Sequence, residues 1–522
     1  MSRGRVILVG AGPGAPDLIT VRGAEALRQA DAVVYDALAA PELLDLAPPE
    51  ALRINVGKRG HDEPTRSQPE TTALLLRLAS EGRTVVRLKG GDPYVFGRGG
   101  EEAAACAEAG VPFEVVPGVS SIFGALAYAG IPITDRRHAA SFAVVTGHKD
   151  PTKATAETRW DALANAADTL IVLMGMRNLE EITGRLVSAG RSAATPAAVV
   201  MNGTLPGQRV VQAPLGELAA RARAAGMAAP AVVVVGDVVG LRAALAWYER
   251  QPLFGRRVLV TRSAEQAGEL ATALAGAGAQ PVVMPLIRLA PAEDPGPLDA
   301  ALERLAGYDA IVFTSANAVR FTAARARARD VRLADARAAF CVGPRTAEAA
   351  AAEGMAVQPL PAGSFDAEGA LAQIRRALPP RGRRFLIPRS QIAREVLADG
   401  LRADGAHVDA VVAYRNLPAD SDAGTLRDDL RRGALDVLTF TSPSTVRRFR
   451  ELLDAETLAA ARRAWIAAIG PLTADALRLA DLPPDLTSPR PEARAFVAAI
   501  AELVAAAGGS DQGSGPDFRH GR

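Results

Sequence analysis

The chain has 522 residues, 49% of them apolar and only 4% aromatic, with 60 lysines and arginines against 58 aspartates and glutamates for a formal net charge of +2. That length exceeds what one hydrophobic core supports and predicts roughly two to four domains. The near-neutral balance and scarce aromatics exclude a broad phosphate-binding field and a base-stacking surface, so no nucleic-acid partner is expected.

The first element is a strand over Val6–Val9 in "RVILVGAGPGAPDLIT". Gly10, Gly12 and Ala15 satisfy G-x-G-x-x-G/A, and Asp36 ends the next strand, "DAVVYD", close to where a dinucleotide enzyme keeps its ribose-binding acid. Pro16 argues against that assignment. A helix starting inside the glycines would need an N–H at this position, and proline has none. The sequence predicts instead a loop from Gly10 to Ile19 and a helix from Thr20, with Ala24, Leu27 and Ala30 along its apolar stripe.

Further strands each end in small residues. "RLKGGDPYVFGRGGEE" sets Gly90, Gly91 and Asp92 after one strand, and "VPGVSS" sets Ser120 and Ser121 at a helix entrance after another. "VTGH" and "VLMGM" close two more, and "PAVVVVGDVVG" closes the region. Each dipeptide also makes an ordinary turn. After a short helix at "LRAALAWYER", the stretch "QPLFGRR" reads as a linker near residue 252.

The second region contains a duplication. Gly255 in "GRRVLVTRS" aligns with Gly382 in "GRRFLIPRS", Tyr308 with Leu435 in "YDAIVFTSANAVR" and "LDVLTFTSPSTVR", and Gly343 with Gly470, always at an offset of 127. Units this long predict two similar α/β lobes facing a cleft, not a solenoid. Strands alternating with helical patterns throughout give an α/β fold class. Residues 506–522 carry no apolar pattern and are expected to be a disordered tail. Cys106 and Cys341 are expected to be buried thiols of a reducing cytoplasm, and His61, His138, His148, His407 and His520 show no ligand spacing, so no metal is expected. With no signal-like start and no apolar run long enough to span a bilayer, a cytoplasmic protein without a membrane partner is expected.

The set VGAGPG, VVYD, VGKR, KGGDPYVFGRGGEE, VPGVSS, GIPIT and TGH resembles the tetrapyrrole methylase family, and within it the uroporphyrinogen-III C-methyltransferases, over residues 5–245. The resemblance implies a two-lobed α/β fold over 1–250 with S-adenosylmethionine between the lobes. It implies donor contacts from Pro13, Gly90, Gly91, Asp92, Val95, Ser120, Ser121, Met174 and Gly203, and proton handling by Asp36 and Lys58. Asp36 could equally cap its loop, and Lys58 could bind a substrate carboxylate. Arginines and lysines around "VGKRG" and "DRRH" suit a substrate with many carboxylates.

Residues 254–505 resemble uroporphyrinogen-III synthase through VLVTR, FTSxNAV, the two glycine-ended strands and the duplication. That resemblance implies crossed-over lobes, 255–287 with 414–505 and 288–413 alone. Candidate substrate contacts are Thr314, Ser315, Asn317, Thr441, Ser442 and Thr473, with Arg262 and Arg389 at equivalent places in the repeats, and Tyr414 assisting hydroxyl loss from a linear bilane. Helix capping is the plainer role for the Thr-Ser pairs. Together the resemblances imply a bifunctional enzyme, dimeric through its methylase domain, that cyclises hydroxymethylbilane and methylates uroporphyrinogen III at C-2 and C-7 to precorrin-2. A methylase of a later corrin intermediate, a nucleotide-dependent oxidoreductase and a non-catalytic binding protein are the alternatives.

Overall fold

A computed structural model describes residues 4–57, 66–147, 158–359, 366–393 and 395–508. Two compact units emerge, Met1–Arg256 forming most of the first and Arg257–Ala273 with Pro281–Leu503 most of the second.

The first unit holds strands β1 (Arg5–Gly10), β2 (Ala32–Tyr35), β3 (Leu52–Asn55), β4 (Thr84–Lys89) and β5 (Phe113–Val116) in one all-parallel sheet of order β3-β2-β4-β1-β5. Strands β6 (Phe142–Thr146), β7 (Thr169–Leu173), β8 (Pro196–Met201), β9 (Arg209–Pro214) and β10 (Ala231–Val235) form a second, mixed sheet of order β6-β7-β10-β8-β9. The near-continuous Val/Ile/Leu runs of β1 and β10 are buried because both faces of their sheets are covered. Thr20 caps the helix Val21–Arg28, its hydroxyl accepting from Gly23 N–H at 3.1 Å. Pro16 opens a separate 3-10 turn, Pro16–Leu18, so the glycines do not start a helix. The buried stripe of that first helix is Gly23, Ala26 and Leu27, continued by Ala30; Ala24 sits off it, half-buried.

The second unit repeats itself in three dimensions. One sheet has order β12-β11-β18-β19-β20, from β11 (Arg257–Val260), β12 (Gln280–Val283), β18 (Val437–Phe440), β19 (Trp465–Ala468) and β20 (Leu486–Thr487). The other has order β13-β17-β16-β14-β15, from β13 (Ile287–Pro291), β14 (Ala310–Phe313), β15 (Ala339–Cys341), β16 (Arg384–Ser390) and β17 (His407–Pro418). At the 127-residue offset β14 falls on β18, and the helix Pro344–Ala352 falls on Pro471–Leu479. The long strand β17 corresponds to β12 and β13 together; Met284–Pro285–Leu286 interrupts the first copy, and there the chain leaves one sheet for the other. The lobes therefore cross over, with the return after Pro418, five residues beyond the expected point. The last helix is Ala493–Gly508, so residues 506–508 are helical where a tail was expected, and the rest of that segment lies outside the described residues. No helix among the described residues is long and apolar enough to cross a membrane.

Cys106 and Cys341 are both free and buried. Burial pushes the Cys341 thiol up to about 12, and burial and then the Glu102 carboxylate push Cys106 up. At about pH 8 neither presents thiolate. Native protein is therefore expected to resist a chromogenic disulfide reagent, and both thiols to react in denaturant; prompt reaction of native protein would contradict the packing.

Candidate functional site

In the first unit the loops after β4, β1 and β5, three adjacent parallel strands, converge at their C-terminal ends, where open α/β sheets bind ligands. Gly12 and Gly91 pair as an isolated bridge, Gly12 N–H donating to Gly91 O at 3.2 Å and Gly91 N–H to Gly12 O at 2.7 Å. A Cβ on Gly10 would lie 2.5 Å from Gly118 Cα, and one on Gly118 would lie 2.3 Å from Gly91 O. Only glycine permits this three-loop junction. Asp92 ties it together, accepting from Gly118 N–H at 3.0 Å with one oxygen and from Tyr94 N–H at 2.8 Å with the other. Val95 lies in the turn that Asp92 O closes.

The helix Ser121–Tyr128 packs on this junction from the other side. A Cβ on Gly124 would meet Pro13 Cγ at 2.5 Å, and one on Gly203 would meet Ala125 Cβ at 2.3 Å. Ser120 stands at that helix's N-cap without a cap bond, and its hydroxyl makes no hydrogen bond among the described residues. Thus Pro13, Gly90, Gly91, Asp92, Val95, Ser120, Ser121 and Gly203 come together around this loop junction. Met174 follows β7 in the left-handed region at φ 55°, half-exposed, and no described contact ties it to the glycine loops. Thr204, absent from the sequence expectations, clasps the loop. It is held at φ 72° and accepts from Ala15 N–H at 3.0 Å through Oγ1, while its own N–H donates to Gln208. A β-branched residue at positive φ is strained backbone, which accumulates at ligand sites.

Asp36 follows β2 and meets the Arg87 guanidinium at 2.6 Å. Arg87 and Lys89, alternate residues of β4, are buried against Glu102 of the helix Gly99–Glu108, at 3.1 Å each. Gln68 donates to the same carboxylate at 3.0 Å. Burial, then Arg87, pushes Lys89 below the ordinary lysine value, against the opposing pull of Glu102 and Asp36. Asp36 is the partly exposed end of this network, at 29% side-chain exposure, so it alone can present an oxygen to a substrate. Lys58 lies outside the described residues.

In the second unit four helices start at strand C-terminal ends. Ser315 and Ser442 cap two of them, accepting from Ala318 N–H at 3.1 Å and Thr445 N–H at 3.3 Å, while Gly343 and Gly470 precede the prolines that open the others. The capping role thus holds for both serines. Thr314 and Thr441 end their strands half-buried, and Thr473 is buried in the first turn of its helix. Such N-termini favour carboxylates. The two arginines part company. The Nε of each is buried without an acceptor among the described residues, but Arg389 pairs through Nη1 with Glu395 at 2.6 Å, whereas Arg262 has no acidic partner among the described residues. Burial, then Arg345, presses Arg262 toward a lower value against the opposing pull of Glu269, and the guanidinium stays charged. Asn317 accepts from Gln266 at 2.9 Å, and Arg345 pairs with Glu269 at 2.8 Å, joining the two lobes of this unit. Tyr414, on β17, is buried with its hydroxyl 3.2 Å from Ser315 Oγ.

Comparison with known proteins matches residues 5–219 to the tetrapyrrole (corrin/porphyrin) methylases and residues 268–498 to uroporphyrinogen-III synthase HemD. The chain is similar to the porphyrin biosynthesis protein HemD of Ruminiclostridium josui, 37% identical over 451 residues, covering 86% of this chain and 89% of that protein. It is 40% identical over 322 residues to the uroporphyrinogen-III C-methyltransferase of Bacillus subtilis, covering 61% of this chain and 65% of that one. It is 50% identical over 247 residues to the siroheme synthase of Azotobacter vinelandii, covering 47% of this chain and 52% of the relative, about half its length. Since the first of these alignments runs through both units, the chain belongs to the bifunctional tetrapyrrole-biosynthesis family in which a methylase is followed by a HemD uroporphyrinogen-III synthase.

Proposed function

We propose that the second unit closes hydroxymethylbilane to uroporphyrinogen III and the first methylates that product at C-2 and C-7, giving precorrin-2. The observation that carries this is the joining in one chain of a glycine-built loop junction beside Ser120, whose hydroxyl has no partner among the described residues, and a set of four helix N-termini with Arg262, which has no acidic partner among the described residues. S-adenosylmethionine, when bound, supplies an electrophilic methyl that needs no metal. The junction suits it: Gly10 and Gly118 let the loops after β1, β4 and β5 pack backbone to backbone, and Asp92 holds the Gly118 loop in place, so the donor would lie along main-chain groups. Pro13, Gly90, Val95, Ser121, Met174 and Gly203 complete the proposed contacts.

The chain's own work in methylation is alignment, exclusion of water and removal of one proton from the methylated ring system. Asp36, anchored by Arg87, is placed to accept that proton, with Lys58 as its partner. In cyclisation, carboxylates of the bilane meet Arg262, Thr314, Asn317, Thr441, Ser442 and Thr473, and Tyr414 protonates the departing hydroxyl. Arg389 serves after exchanging Glu395 for a substrate carboxylate. Two buried free thiols support a reducing cytoplasmic location, and the methylase family supports a dimer through the first unit.

Incubation with hydroxymethylbilane and labelled S-adenosylmethionine tests both halves. Isomer III carrying two labelled methyls is expected. Unlabelled isomer III alone would remove the methylase half, and isomer I alone, the product of unassisted closure, would remove the synthase half.

A further inference from the structure

The two copies in the second unit are alike enough that their differences carry information. Ser315 and Ser442 occupy equivalent places, each capping a helix after a buried strand. Ser442 spends its remaining hydrogen-bonding capacity on Ser444 at 2.9 Å and Thr445. Ser315 instead meets the Tyr414 hydroxyl. At the 127-residue offset, the position equivalent to Tyr414 is Ile287, so the phenol has no counterpart in the other copy.

Building on the synthase reading above, we propose that Ser315 is a positioning residue that aims the Tyr414 proton at the leaving hydroxyl. The Tyr414 ring cannot swing: it is 6% exposed and stacks on Phe321 with centroids 5.4 Å apart and planes within 11°. Its hydroxyl has no other hydrogen bond among the described residues. Ser315 Oγ already accepts from Ala318 N–H, so its single proton is available to Tyr414 Oη. Donation in that sense leaves the phenol O–H directed outward. The same serine proton and the N-terminal field of the helix Ala316–Ala328 then stabilise the phenolate that forms.

The step balances as follows. The hydroxymethyl C–O bond breaks with its electron pair on oxygen, and the phenol proton joins that oxygen, so water leaves. The pyrrole N–H proton restores the phenol as the azafulvene forms. One water is lost in total, and no oxidant or reductant is needed.

The test uses the full chain and follows uroporphyrinogen III formation for Ser315→Ala, Ser315→Thr, Tyr414→Phe, Ser442→Ala and the doubles with Tyr414→Phe. Ser315→Ala is expected to lower kcat about tenfold with KM little changed, as for loss of one hydrogen bond to a developing charge. Ser315→Thr is expected to restore most of the loss. In the Tyr414→Phe background Ser315→Ala should cost nothing further, whereas Ser442→Ala should cost the same factor in either background. If Ser315→Ala folds poorly, Ser315→Asn keeps a helix cap and takes its place. Equal losses from Ser315→Ala with and without the phenol, or a loss confined to KM, would overturn the proposal while the synthase reading stands. Failure of the unmutated chain to form isomer III would remove both.

Discussion

Gly118→Ala is expected to abolish tight binding of S-adenosylhomocysteine while leaving bilane cyclisation intact. The new methyl would lie 2.3 Å from Gly91 O and 2.6 Å from Gly10 Cα, and both are backbone atoms that no rotamer can move aside. Gly118 does not sit at positive φ, so the whole effect comes from close approach and none from conformational strain. Overpacking of this kind costs about 1–3 kcal/mol in a well-packed interior. The larger consequence is displacement: the loops after β1, β4 and β5 separate, and misplacement on the order of 1 Å costs about 100-fold in a positioned site. Calorimetric titration with S-adenosylhomocysteine reads the first effect, and isomer III formation in the same sample is an internal control for folding of the second unit. Affinity within threefold of the unmutated chain would show that the junction is not the donor site.

That junction was legible because glycines leave a trace in the sequence when backbones must touch. Gly10, Gly91 and Gly118 each follow an apolar run, and Pro16 argues against a helix at the first of them, where the structure has a 3-10 turn at Pro16–Leu18. The duplication was legible for a related reason. Strand, Thr-Ser pair and helix recur with unchanged spacing, because each copy must bury the same face of the same sheet. The crossover lay within a few residues of its expected place, since Pro285 cannot donate to a ladder and splits one long strand into two.

Other features left no such trace. "RLK" reads by period two as a strand showing Arg87 and Lys89 to solvent, yet the sheet is parallel and covered on both faces, so the pair is interior. Their partner Glu102 sits in "GRGGEE", where a first-turn glutamate looks like an ordinary helix charge. Thr204 resembles any loop threonine until Ala15 reaches it from 189 residues away. The different surroundings of Arg262 and Arg389 left no trace in the repeat itself, because the copies diverge at Glu395, whose counterpart 127 residues earlier is Gly268.

Glu102 carries the second large prediction. Its carboxylate is fully buried between Arg87 and Lys89, so Glu102→Ala leaves two cations in a low-dielectric interior with only Asp36, partly exposed and 2.6 Å from Arg87, to compensate. Removing one partner of a buried pair costs about 3–5 kcal/mol, far more than the pair itself contributes. The first unit should therefore unfold at a much lower urea concentration than in the unmutated chain, with the transition of the second unit unmoved. The loss should also depend on pH in a definite sense. Glu102 is among the groups that raise Lys89, so its removal lowers the folded-state value further below the ordinary 10.5. Between that lowered value and 10.5 the unfolded chain binds more protons than the folded one, so stability rises with pH across this window. Glu102→Ala should thus recover part of its lost stability on alkaline titration, and Glu102→Ala with Lys89→Met should recover it already at neutral pH. A urea midpoint within error of the unmutated chain would mean that water reaches both cations. In that case Arg87 would not be held rigidly enough to aim Asp36, and the methylation rate of Glu102→Ala would stay unchanged as well.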